Sequence, residues 1–106
     1  MTIKHLKELE EKEIVPGYRA KFVHTQNMTV AYWNITANHT MPEHAHPHEQ
    51  VVNLLEGTFE LVIDGRPQRA EPGTVIVIPA NIKHSGNAIT DCRILDVFYP
   101  VREDYR

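Results

Sequence analysis

From Tyr18 to Pro100 the chain is cut into short β-branched and aromatic segments by turn residues, and that rhythm limits what it can fold into. Lys21 to Thr25 and Met28 to Ile35 read as strands joined at Gln26-Asn27. Val51 to Leu55 is a short apolar strand ending at Glu56-Gly57, and Thr58 to Ile63 continues as another. Asp64-Gly65 is a strong hairpin turn, Gln68 to Ala70 a short edge piece, and Glu71-Pro72-Gly73 a further turn. The continuous β-branched run from Thr74 to Ile78 predicts a buried strand, and Cys92 to Tyr99 predicts a last one, stopped by Pro100. Ahead of these, His5 to Lys12 is rich in Leu, Glu and Lys and predicts a short helix, while Asn38 to Glu43 predicts a loop. Many short strands separated by Gly, Pro and Asn turns predict an all-β sandwich or barrel.

With 106 residues, the expectation is one domain spanning 1–106. A chain of this size buries roughly 60–70 % of the surface it exposes when unfolded, enough for a single modest core. The net charge of -3 gives no pull toward nucleic acid or anionic membranes. No apolar run approaches the ~18 residues of a membrane span. Met1-Thr2-Ile3-Lys4-His5 leads into a charged stretch unlike a secretory signal. The single Cys92 excludes an intrachain disulfide and fits a reducing compartment, so a cytoplasmic location is expected. A barrel this small has sheet edges to cover, and pairing of the N-terminal strand across a homodimer is one way to cover them.

Seven histidines are many for this length, and their placement matters more than their number. In His44-Ala45-His46-Pro47-His48-Glu49-Gln50, an extended backbone would send His44 and His46 to one side. Gln50 could return to that side after the Pro47 bend, and His84 could close the set from a distant strand. Converging neutral imidazoles are what a divalent transition metal requires. The competing reading, surface histidines on a polar loop, suits any one of them better than the set. Glu49 competes with Gln50 as a ligand if the strand is bulged, and His48 reads as exposed or as supporting the ligands.

The C-terminal strand holds a misfit. Ile94, Asp96 and Phe98 share one face, and an aspartate amid apolar neighbours is costly if buried without a partner. Asp96 either pairs structurally with an arginine or backbone group, or faces a cavity with its acidity set for proton transfer. Arg102, just past Pro100, is either a solvated tail residue or a bidentate carboxylate clamp.

Two segments resemble the paired motifs of the cupin superfamily. The first is His44-Ala45-His46 with Gln50 and, seven residues on, Gly57; the second is Gly73, the Thr74 to Ile78 run, Pro79-Ala80-Asn81 and His84. Asn81 stands where the family writes glycine, Asn87 comes one residue early, and Gln50 replaces the usual glutamate. The resemblance implies a double-stranded β-helix, or jelly-roll barrel, with metal ligands at His44, His46, Gln50 and His84. It implies one divalent ion per chain, with zinc, nickel, manganese, cobalt and iron all admissible, and a homodimer. A set of neutral ligands favours Lewis-acid work on an anionic or enolising substrate over oxygen chemistry.

The ending Asp96-Val97-Phe98-Tyr99-Pro100-Val101-Arg102-Glu103-Asp104-Tyr105 further resembles cupins of the pectin-degradation, KdgF type. That resemblance implies a non-redox enzyme promoting ring opening of 4,5-unsaturated monouronates, with Asp96, Phe98 and Arg102 in the pocket. A different non-redox cupin isomerase or cyclase, a non-catalytic binder of a small ligand and an iron dioxygenase stay open as alternatives.

Overall fold

The computed structural model describes residues 1–106 as two antiparallel sheets packed face to face. Its strands are β1 (Lys12–Val15), β2 (Tyr18–His24), β3 (Thr29–Ile35), β4 (Thr40–His44), β5 (Glu49–Glu56), β6 (Phe59–Ile63), β7 (Arg66–Ala70), β8 (Val75–Ile78), β9 (His84–Ala88) and β10 (Cys92–Tyr99). The six-stranded sheet runs β1-β2-β3-β10-β5-β8 and the four-stranded sheet β4-β9-β6-β7. This is an all-β barrel, as the turn-punctuated sequence predicts, with the jelly-roll form that the cupin resemblance implies.

Alternation builds the core. Along β3 every second residue from Thr29 to Ile35 is buried, and the same pattern runs along β10 from Cys92 to Phe98. The strands lie next to each other, so Ile94 is flanked by Trp33 on one side and Leu54 on the other. Phe59 and Leu61 face them from the four-stranded sheet. Tyr18 joins the layers, its ring edge-on to Trp33 at 6.2 Å and to Phe59 at 6.4 Å. At Gly57 the backbone is left-handed (φ 91°), and a Cβ there would run into the Asp91 carbonyl oxygen, so that turn requires glycine.

Three expectations are corrected. The predicted helix at His5–Lys12 is a single 3-10 turn, Leu6–Glu8, after which Lys12 starts β1; two turns without a buried face do not sustain an α-helix. The predicted loop at Asn38–Glu43 is mostly β4, because Thr40 and Met41 pair with Asn87 and Gly86. The run Val75–Ile78 is a strand buried on one face only, through Ile78 and part of Ile76. It lies at the edge of its sheet with Val75 and Val77 more than half exposed, so β-branched composition reported the strand and not its burial. No helix is long and apolar enough to cross a membrane.

Candidate metal centre

His44 ends β4 and His84 begins β9, and the two are direct partners across that ladder. A register irregularity between Met41 and His44 precedes the pairing. His46 lies beyond the end of β4, just before the bend at Pro47-His48 that leads to β5, and not on a continuing strand. Two bonds hold it. The Asn81 N–H donates to the His46 carbonyl at 2.8 Å, and the His46 ring donates to the His48 carbonyl at 3.0 Å. Asn81 makes its bond from a left-handed backbone (φ 66°), which asparagine tolerates better than most residues. The two sequence motifs are thereby tied together.

The three histidines offer ligand atoms within 4.8 Å of one another. In each ring Nδ1 meets a backbone carbonyl: Pro42 for His44, His48 for His46 and Ile82 for His84, at 2.8 to 3.0 Å. A neutral ring that donates through Nδ1 leaves its lone pair on Nε2. That is the orientation that backbone partners impose on metal-binding imidazoles. His84 Nε2 is buried with no hydrogen-bond partner. Burial, with the charges of Arg102 and His84 adding to it, lowers the His46 pKa to about 4, and burial lowers that of His84 too. Both rings are therefore neutral near pH 7.

Gln50 extends the set from β5. Its Nε2 donates to Asp96 Oδ2 at 3.0 Å, which turns Oε1 toward His46 Nε2 at 3.1 Å. With His46 neutral, both of those atoms carry lone pairs and neither has a hydrogen to share. A cation beside them would satisfy both lone pairs. The donor set thus fits a metal ion, with three histidines able to hold it and a glutamine oxygen pointing the same way. Glu49 is exposed, its alternate position putting it on the other side of β5.

Asp96, Phe98 and Arg102 line the same cavity, of about 50 Å³, as His44, Gln50 and His84. Asp96 is 6 % exposed, and burial pushes its carboxyl up to about 7 against the partial pull of Trp33, Gln50 and Arg102. Its Oδ1 has no hydrogen-bond partner, and neither does the nearby Trp33 Nε1. The structural role weighed for Asp96, pairing with an arginine, is not the arrangement found. Arg102 instead binds Asp104 through two bonds, Nε at 2.9 Å and Nη2 at 2.7 Å. Its guanidinium lies 4.7 Å from the Phe98 ring centre and 4.0 Å from that of Tyr105.

His48 stands outside the three-histidine cluster; its carbonyl orients His46, and its own Nδ1 is buried without a partner. Sequence reasoning missed Trp33 and gave Asp104 and Tyr105 no role, although both lie in the C-terminal run that resembles KdgF-type cupins. Trp33 reads as ordinary core in an alternating strand, and Glu103-Asp104-Tyr105 by composition reads as a polar tail. The signals available were that resemblance and the unlike charges of Arg102 and Asp104 two residues apart.

The profile of the cupin domain matches residues 31–98, which contain both histidine motifs. An uncharacterized protein of Streptomyces coelicolor is 28% identical over 97 residues, covering 90% of this chain and 92% of that protein. Among solved structures, KdgF from Halomonas sp. superposes with a TM-score of 0.92 at 25% identity, covering 100% of this chain and 99% of that one. An RmlC-like cupin from Shewanella frigidimarina gives 0.93 at 22% identity, covering 100% and 96%. With the profile spanning well over half its length, this chain belongs to the cupin family.

Proposed function

We propose that this protein opens the ring of 4,5-unsaturated monouronates, yielding the linear 4-deoxy-5-keto-uronate. A divalent transition metal would be held by His44, His46, His84 and Gln50. Bound by neutral donors, it would keep its full positive charge and supply Lewis-acid polarisation of substrate oxygens. The observation that carries the reading is the 3.0 Å bond from Gln50 Nε2 to Asp96 Oδ2, which couples this donor set to a buried carboxyl with a pKa of about 7. The likeness to KdgF from Halomonas sp. over the full chain supports the same substrate class.

Asp96 takes the proton of the anomeric hydroxyl as the C1–O5 bond breaks, its electron pair leaving with O5. Return of that proton from Asp96 to C4 of the resulting enolate then forms the C5 ketone, so the overall change is an isomerisation with no net proton. The bond from Gln50 fixes the carboxylate's orientation during both transfers. Arg102 holds the uronate carboxylate, and Phe98 packs against the sugar ring and sheds water.

The test is a timed assay of metal-loaded protein on 4,5-unsaturated galacturonate, following loss of the alkene absorbance against the spontaneous rate. Acceleration should be present in the parent and absent in His44→Ala, whose metal content should fall in step. No acceleration by protein shown to carry its metal discards the substrate while leaving the metal centre standing.

A further inference from the structure

The tail residue Asp104 has no part in the chemistry above, yet it makes the closest ion pair in the molecule, 2.7 Å to Arg102 Nη2. The two partners differ in character. The Arg102 side chain is 6 % exposed and Asp104 is 57 % exposed, so one wall of a buried cation is an aspartate reaching in from solvent. Asp104 sits in the 3-10 turn Glu103–Tyr105, which Arg102 caps, and the turn's Tyr105 lines the cavity with Arg102. The base of this turn is pinned, because the Arg102 N–H donates to Thr29 Oγ1 at 2.9 Å and Thr29 is fully buried.

A guanidinium can go wrong in two ways, by tilting out of plane or by rotating within it. Phe98 and Tyr105 lie within 4.7 and 4.0 Å of its carbon and restrict the tilt. Asp104 restricts the rotation by accepting from Nε and Nη2 together, the bidentate geometry that fixes a planar fork. Of five guanidinium N–H donors, two are then engaged, and both hydrogens of Nη1 and one of Nη2 remain. Arg102 lines the cavity, so a ligand there meets an arginine already turned, with donors to spare.

We propose that Asp104 is a positioning residue that sets the rotation of Arg102, so that the arginine's free edge receives the carboxylate of an anionic ligand. The proposal rests on the reading of Arg102 as the carboxylate clamp. It opposes a simpler alternative, in which Asp104 occupies the arginine and a ligand must displace it. The two differ in sign. A positioning residue strengthens ligand binding, and a competitor weakens it.

The experiment uses the metal-loaded full chain with Asp104→Ala, Asp104→Asn and Asp104→Glu. On 4,5-unsaturated galacturonate, Asp104→Ala should raise KM about tenfold, the scale of removing one charge-assisted hydrogen bond, with kcat moved much less. Asp104→Glu should recover part of the loss, because it keeps the charge and the two acceptor oxygens. A merely structural aspartate would show no such KM and kcat split and no rescue. A KM that is unchanged, or lower, in Asp104→Ala overturns the proposal, the lower value assigning Asp104 as the competitor.

If the parent protein accelerates no unsaturated uronate, the functional reading fails by itself, and the arginine is then read directly. The Arg102 Nε–H, resolved by ¹⁵N NMR, should exchange with solvent at least about tenfold faster in Asp104→Ala and Asp104→Asn than in the parent. Equal exchange in all three shows that Asp104 does not hold the arginine, and it overturns the proposal without reference to any substrate.

Discussion

Strand β10 runs through two different environments within one alternating pattern. At Ile94 its cross-strand neighbours are Trp33 and Leu54; at Phe98 they are Thr29 and Gln50, and Asp96 lies between. The first end is a close-packed aromatic and aliphatic core in which Leu54 is 2 % exposed. The second holds three histidines, a glutamine, an aspartate and an arginine within one barrel mouth, where Asp96 Oδ1 and His84 Nε2 are buried without partners. Packing polar groups this densely costs stability, about 1–3 kcal/mol for a buried acceptor such as Asp96 Oδ1 left without a partner, and the close-packed core along the same strands offsets it. A barrel can carry such a mouth because its strands are fixed elsewhere along their length.

If the two ends divide labour in this way, substitutions should separate chemistry from stability. The largest effect is expected at Asp96. Asp96→Asn should lower turnover by ~10²–10⁴, the usual weight of a general acid–base group. Stability should move the other way. Burial raises the carboxyl from 3.8 to about 7, so the folded state favours the protonated form. The stability that form contributes is complete below pH 3.8 and is lost as pH rises through the interval up to about 7. An uncharged amide has no such loss, and thermal denaturation at pH 8 should find the variant at least as stable as its parent. A variant that melts earlier while keeping its turnover would reverse the assignment of roles along β10.

The comparison also bears on what was legible in the chain. Strand positions followed from turn chemistry: Asp64-Gly65 and Glu71-Pro72-Gly73 mark where β6 and β7 end, and Gly65 and Gly73 adopt positive φ there. The convergence of His44, His46 and His84 was legible because two separated motifs had to meet for either to make sense. A two-residue period put Asp96 on one face with Ile94 and Phe98, and the resemblance, not the period, turned that face into the cavity. What escaped the sequence depends on neighbours supplied by distant segments. The edge position of β8 is decided by which strand pairs with β5, and the engagement of Arg102 by a turn whose residues look like a solvated tail. The strand reading of His46 failed for a related reason. Its carbonyl is claimed by Asn81, thirty-five residues away, and the chain bends to meet it.

At the apolar end the expected effect is on stability alone. Leu54→Ala should cost about 2–5 kcal/mol, from the buried methyl groups removed and the cavity left behind. Denaturant unfolding reads that cost, and metal content per folded chain should stay at the parental level. A Leu54→Ala protein that folds well but no longer retains metal would show that the core tunes the ligands, and the division between the two ends would fail.

Tyr18 gives the smallest effect and the most direct probe of the seam between the sheets. Its ring packs on Trp33 and Phe59, and its hydroxyl donates toward the carbonyls of His39 at 3.0 Å and Gly86 at 3.3 Å. Burial pushes this phenol from 10 up to about 12, so the folded state favours the protonated form. The sign follows. The contribution is complete below pH 10, where the unfolded chain is protonated too, and is lost as pH rises through the interval up to 12. Near pH 7, Tyr18→Phe should cost about 0.5–1.5 kcal/mol for the hydrogen bond removed. Phenylalanine cannot ionise, so the deficit against the parent should shrink as pH rises beyond 10 and then reverse. Denaturation midpoints of the two proteins taken across pH 7 to 12 test this. Parallel curves would mean that the Tyr18 phenol ionises as readily folded as unfolded, and the seam would have to be held by ring packing alone.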